Sequence, residues 1–262
     1  MRKYLALLER ELKSYFVSPV AYVVIGLFLA FCGFFFYSIV TWFDRVSMQA
    51  MMQSQYYRQP PQPMNVNMMA IRPLLGNIAF IALIFIPGLT MRLFAEEKRQ
   101  GTMELLLTSP ISNWQMALAK FSSAWILFGV MLAFTFLYQV LLFIFGDPEL
   151  WPIVAGYLGL LLVGGSFVAV GMMFSAFTEN QIIAFVAALA TNLIMLALSW
   201  LSNFTSGALS KILGAVSPLD HFEDFSKGVI DTQHVVFYLS LIAGGLFITY
   251  VSLESARWRG SR

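Results

Sequence analysis

The chain has 262 residues, 59% of them hydrophobic and only 11% charged, against roughly 25% charged in an average soluble domain. Sixteen Lys and Arg face fourteen Asp and Glu, a net charge of +2, which argues against a nucleic-acid partner. The single cysteine, Cys32, excludes an intramolecular disulfide framework and reads as a small packing residue inside an apolar run. Composition therefore points to an integral membrane protein.

Residues 1–16 read as an amphipathic helix. Leu5, Leu8, Leu12 and Tyr15 fall on one face, Glu9, Arg10 and Lys13 on another, and Glu9 with Lys13 makes a favourable i,i+4 pair. Such a helix is expected to lie along the inner membrane surface. Six segments then have the roughly 20 apolar residues that a spanning helix needs: 17–40, 74–94, 121–145, 153–176, 181–201 and 234–253. The first is longer than a signal-peptide core and no small-residue cleavage site follows it, so it is expected to stay as a signal anchor.

Basic residues set the expected orientation. With both termini in the cytoplasm of a bacterial inner membrane, eleven of the sixteen fall inside: Arg2, Lys3, Arg10, Lys13, Arg92, Lys98, Arg99, Lys120, Arg257, Arg259 and Arg262. Trp42, Trp151 and Trp200 then sit where an outer aromatic belt belongs.

The outer loop 41–73 is rich in Met, Gln and Pro and is expected to be irregular, with a short helix around 46–57. Met48, Met51, Met52, Met64, Met68 and Met69 raise copper(I) as a ligand. No His or Cys accompanies them, and adaptable apolar contact explains them better. In the second span, Pro87-Gly88 predicts a kink, because proline removes one helical hydrogen bond and crowds the preceding turn.

The stretch 95–120 is a charged cytoplasmic insert. Gly101 breaks a helix, Thr102 can cap the next, and Glu104 lies in its first turn, where the helix dipole favours an acid. Leu105, Leu106 and Leu107 give this short helix an apolar body, and Pro110 helps end it. Ser112 and Gln115 form a capping box for the helix that runs through Lys120 into the third span.

Short turns at 146–152 and 177–180 make spans three to five tight antiparallel hairpins. Gly156, Gly159, Gly164, Gly165 and Gly171 permit close helix packing in the fourth span, and Asn192 in the fifth is expected to hydrogen-bond across helices. Between spans five and six, 202–233 alternates apolar and polar residues. Short helices that dip into the outer leaflet without crossing it are expected there. Asp220, His221, Glu223 and Asp224 cluster in this stretch; a solvated outer face explains them better than a metal or acid–base site.

No phosphate-loop motif, HExxH, GxSxG or Cys/His pair is present, so the chain is not expected to hydrolyse ATP or act as an enzyme alone. No carboxylate or arginine sits near the centre of a span to suggest ion coupling.

The run from Glu96 to Ser112, EEKRQGTMELLLTSPIS, closely resembles the cytoplasmic signature of type 2 ABC exporter permeases, the ABC-2 class. The run from Ser217 to Asp231, SPLDHFEDFSKGVID, is similar to the branch of gliding-motility and copper-enzyme-maturation permeases. The resemblance implies an all-α membrane domain of six spans, an interfacial N-terminal helix, and a re-entrant outer helical pair before the sixth span. It further implies two permease subunits, as a homodimer or with a close paralogue, on two separate ABC ATPase subunits. ATP and Mg would bind the ATPases and no cofactor this chain; membrane lipids and a periplasmic or membrane auxiliary protein complete the expected partners.

By the same resemblance the short helix between spans two and three is the coupling helix, here Thr102–Ser109. The candidate ATPase-coupling residues are Glu96, Glu97, Arg99, Gly101, Thr102, Glu104, Leu105, Thr108, Ser109 and Pro110, with Pro87 and Gly88 as the kink. Pro218, His221, Phe222, Phe225, Gly228 and Asp231 are the candidate residues of the outer segment. Charge reversal at Glu97 or Glu104 is expected to uncouple hydrolysis from transport. Two other readings stay open: a membrane scaffold that recruits an ATPase without passing a substrate, and an intramembrane enzyme using Asp220 and His221.

Overall fold

The computed structural model describes residues 2–57, 65–108, 111–146 and 148–259. Among them the chain is helical with no strand, and six helical segments are long and apolar enough to cross a membrane. It is a multi-pass, all-α membrane protein. We number the helices α1 (Arg2–Val17), α2 (Pro19–Tyr57), α3 (Arg72–Thr90), α4 (Ala95–Arg99), α5 (Met103–Thr108) and α6 (Asn113–Phe145). They continue as α7 (Leu150–Phe177), α8 (Gln181–Phe204), α9 (Ala208–Val216), α10 (Pro218–Ser226) and α11 (Thr232–Arg259). A five-residue π-helical turn, Asn67–Ile71, leads into α3.

The centre of the bundle is α7, and its glycines explain why. A Cβ on Gly164 would stand 2.0 Å from the Phe128 ring of α6, and one on Gly171 would stand 2.0 Å from Thr90 Oγ1 of α3. Small residues here let neighbouring helices approach closely, where van der Waals packing drives association in lipid. The glycine stripe is thus spent on packing within this chain. α2, α8 and α11 are the least buried of the spanning helices, each with large apolar side chains exposed.

Six crossings put α1, α4, α5, the 177–180 turn and the end of α11 at one end, here the base. The end of α2, the start of α7, and α9 and α10 form the far end. α2 has 39 residues, which at ~1.5 Å per residue is ~58 Å, about twice the ~30 Å hydrocarbon thickness. It continues helically through 41–57, so the helix expected around 46–57 is present as an unbroken extension of the first span, and it carries Met48, Met51 and Met52 exposed on one face. Gln59–Pro63 and Met64 lie outside the described residues.

α1 forms as its periodicity predicts, and Leu8 and Tyr15 of its apolar face meet the core. Tyr4, Leu7, Glu11 and Tyr15 point into the protein, whereas Leu5 is exposed. The Glu9–Lys13 pair forms at 2.6 Å on the outer side.

Candidate functional site

The base is built from the charged insert and two helices distant in sequence. α4 ends at Arg99, Gly101 takes a left-handed φ of +70°, and α5 starts at Met103. Only glycine adopts that backbone routinely, so the break is written into the sequence. The Thr102 hydroxyl donates back to Glu97 O at 3.3 Å, and Glu104 lies in the first turn of α5. The Ser112–Gln115 capping box forms and starts α6. Helix, left-handed glycine, short helix and capped helix therefore follow one another as the sequence indicates.

The insert residues divide into two sets. Leu106 and Met103 are buried under α5, while Glu104 and Leu105 face outward, Leu105 with 72% of its surface exposed. Arg99 is exposed, and Glu96 accepts from Gln100 Nε2 at 3.2 Å. Glu97 faces inward. Thr108 ends α5, and Ser109 and Pro110 lie outside the described residues.

Around Glu97 is a charge cluster that sequence reasoning did not assemble. Lys120 Nζ from α6 stands 2.9 Å from Glu97 Oε1 and 3.2 Å from Glu11 Oε1 of α1. Arg10 Nη2 reaches the same Glu97 oxygen at 3.2 Å and Glu11 at 3.1 Å. The Lys120 side chain is 2% exposed and also lies 5.3 Å from the Phe94 ring centroid. Two carboxylates and two cations balance, which is what buried charge requires. The signal for Glu11 was its place on the inward stripe with Tyr4, Leu7 and Tyr15. For Lys120 it was a lone cation in the apolar run after the Ser112 cap.

Hydrogen bonds fix the same region to α7 and α11. Ser175 Oγ accepts from the Phe94 and Ala95 amides at 3.0 and 3.1 Å and donates to Met91 O at 2.9 Å. Lys98 Nζ donates to Ala176 O, which also accepts from Ser252 Oγ. Asn113 Nδ2 donates to Glu254 at 2.7 Å. The α4 frame is thus bound to the bundle, with α5 on its outer side.

Pro87 and Asn192 come together in the middle of the bundle. Proline at 87 has no N–H to give to the carbonyl of Leu83, and α3 continues helically through it. Asn192 Nδ2 from α8 reaches that carbonyl at 3.4 Å. The backbone acceptor left free by Pro87 is thereby taken up by a second spanning helix. Gly88 has open space beside it.

At the far end, Pro218, His221, Phe222 and Phe225 of α10 are buried, and Phe222 and Phe225 close over Gly159 of α7. Gly228 has a φ of +86° and its carbonyl accepts from Trp151 Nε1 at 2.9 Å. Asp231 is exposed, and its carboxylate accepts from the Gln233 amide at 2.9 Å. Ser199 and Ser202 of α8 donate to Asp220.

Sequence reasoning missed His234, the other of the chain's two histidines. It lies at the start of α11 between His221 and Asp224. Its hydrogen bond, with help from Lys227, holds the Asp224 carboxyl below its ordinary range. Burial pushes His221 below the usual histidine value, against the Ala215 carbonyl that receives its N–H. Among the described residues no group of three His, Cys, Asp or Glu is arranged to hold a metal ion.

Comparison with known proteins bears on the whole bundle. The family model described as "ABC-2 family transporter protein" matches residues 46–222, over half of the chain. The chain is also 25% identical over 163 residues to the probable multidrug ABC transporter permease YbhR of Escherichia coli strain K12. The figures are the same for its counterpart in E. coli O157:H7. Each match covers 58% of this chain and 41% of the relative, so the chain spans about two fifths of the length of these curated relatives. With six membrane-length helices and the family model spanning α2 to α10, this chain belongs to the ABC-2 family of transporter proteins.

Proposed function

We propose that this chain is the membrane-spanning permease subunit of an ATP-driven exporter, powered by a separate ATPase. The observation that carries the reading is α5, a short helix with an outward Glu104 and Leu105, mounted on a frame tied to α1, α6, α7 and α11. A push on such an element is passed to packed helices rather than absorbed in a loop. Family membership supports the same reading, as does the absence of a phosphate-loop motif from the sequence.

In this proposal α5 is the coupling helix and α1 lies in the interface beside it. The base faces the cytoplasm of a bacterial inner membrane, as the excess of Lys and Arg there indicates. α9 and α10 form the re-entrant pair in the outer leaflet. Two ATPases carry ATP and Mg, and a second permease, identical or closely related, covers part of the exposed apolar periphery; lipid covers the rest. An auxiliary envelope protein completes the assembly. The Ser217–Asp231 run favours the gliding-motility and copper-enzyme-maturation branch over the multidrug role in the name of the E. coli relatives.

The test is gentle purification of the chain from its native membrane, with copurifying proteins identified by mass spectrometry. The reading expects a stoichiometric phosphate-loop ATPase whose hydrolysis is altered by the permease. A well-expressed, folded chain that brings down no ATPase overturns it.

A further inference from the structure

Three polar contacts run in series at the far end. Asp224 Oδ2 meets His234 Nε2 at 2.9 Å, His234 Nδ1 meets His221 Nδ1 at 2.6 Å, and His221 Nε2 meets Ala215 O at 3.1 Å. Each contact needs one proton between its heavy atoms. Without it two lone pairs face each other, and with two the hydrogens collide. The Ala215 carbonyl can only accept, so His221 Nε2 carries a hydrogen. A carboxylate can only accept, so His234 Nε2 carries another.

Two neutral imidazoles have now used their two protons, and both Nδ1 atoms would be bare lone pairs at 2.6 Å. A third proton is required between them. Moving a proton from His234 to Asp224 does not change this count of three. A metal does not substitute for it: two nitrogens on one tetrahedral zinc stand about 3.3 Å apart at ~2.0 Å each.

We propose that Asp224, His234 and His221 form a proton-binding site that holds one added proton between the two Nδ1 atoms and so clasps α10 to α11. The filled site is net neutral, with a carboxylate, an imidazolium next to it on His234, and a neutral His221. The charged groups around the site are few. On α10, Asp220 is engaged by Ser199 and Ser202 and its charge favours a protonated His221, and Lys227 pairs with Glu223 at 2.8 Å and with Asp224 Oδ1 at 3.2 Å. α11 brings Phe237, stacked on His221 at 3.9 Å, and Tyr238, whose hydroxyl donates to Pro218 O. Lys211 of α9 is exposed, α7 and α8 carry no charged residue, and α3 carries Arg72 alone.

Losing the added proton sets lone pair against lone pair; gaining a fourth sets N–H against N–H. The clasp therefore holds over a pH window whose two limits belong to the three groups together. The depressed His221 places the acid limit below the ordinary histidine value. The proposal is independent of ATP coupling.

The test uses the full chain, labelled with nitrogen-15 histidine, in lipid nanodiscs; its spectrum contains two imidazoles only. The expected neutral-pH result is protonated Nε2 on both rings and a scalar coupling between the two Nδ1 nuclei, lost on both the acid and alkaline sides. Asp224→Asn should move the alkaline limit down by about 1–3 pH units, as loss of a neighbouring opposite charge does. Two rings that titrate independently, each with one bare nitrogen and no coupling at any pH, would overturn the proposal. So would an alkaline limit unmoved in a folded Asp224→Asn chain.

Discussion

The two ends of the bundle hold polar clusters built in opposite ways. At the base, Arg10, Glu11, Glu97 and Lys120 come from three helices spread along the chain, and Lys120 is almost fully enclosed. At the far end, Asp220, His221, Asp224 and His234 come from one short stretch around the α10–α11 turn. The base cluster pairs carboxylates with a lysine and an arginine, while the far end brings together two imidazoles, the side chains whose ordinary range of titration includes neutral pH. The first suits the rigid mount that the proposed function calls for. The second suits a joint whose strength follows the surrounding pH.

The largest expected effect tests the base. Lys120→Met leaves Glu11 and Glu97 buried together with only the more exposed Arg10 to meet them and should cost about 3 kcal/mol, the low end for a broken buried pair, read as a lower unfolding midpoint in micelles. Adding Glu11→Gln and Glu97→Gln should return much of that loss, since the penalty lies in unpaired charge. A single variant as stable as the parent would mean that the cluster is open to water.

At the far end, His234→Gln removes a charge-assisted hydrogen bond, worth about 1.5–3 kcal/mol, and should leave the base cluster intact. The pH dependence has a definite sign. His221 is depressed when folded, so its contribution is present above the ordinary histidine pKa, about 6.5, and is lost as pH falls through the folded value. Hydrogen exchange in α9 and α10 should rise between neutral and mildly acidic pH, with α4 and the start of α6 unchanged. Equal response at both ends would erase the contrast between them.

A smaller effect is expected between the ends. Asn192→Leu removes the bond to Leu83 O and should cost about 0.6 kcal/mol, the average for such bonds in membranes. Restoring a backbone donor with Pro87→Ala should make the Asn192 change nearly neutral, which a double-mutant cycle would read directly. The least effect on stability belongs to Leu105→Asp. As an exposed position it should stay within about 0.5 kcal/mol, yet abolish ATPase association.

How much of this was legible follows from the range of each signal. The six spans, the Gly101 break and the Ser112 capping box rest on neighbouring residues, and each is present. Helical periodicity predicted α1, and Leu8 and Tyr15 of its apolar face meet the core; it gave no sign that Glu11 lies inward, where it meets Lys120 of α6. Glu97 was a candidate coupling residue from the resemblance, and its contact with the same lysine joins residues too far apart in sequence to be read from either alone. Pro87 and Asn192 were each conspicuous; their meeting required the packing of α3 against α8. The end of α2 was misjudged in length because polar Gln and Ser residues end a hydropathy signal without ending a helix.

The most direct measurement is crosslinking from α5 in native membranes, with Leu105→Cys introduced beside Cys32→Ala and a matched control at Trp200→Cys on the opposite end. The proposed function predicts that the cysteine at 105 links to a phosphate-loop ATPase, and that the one at 200 does not. An ATPase captured at neither position by a folded, well-expressed chain, or captured only at 200, would contradict it.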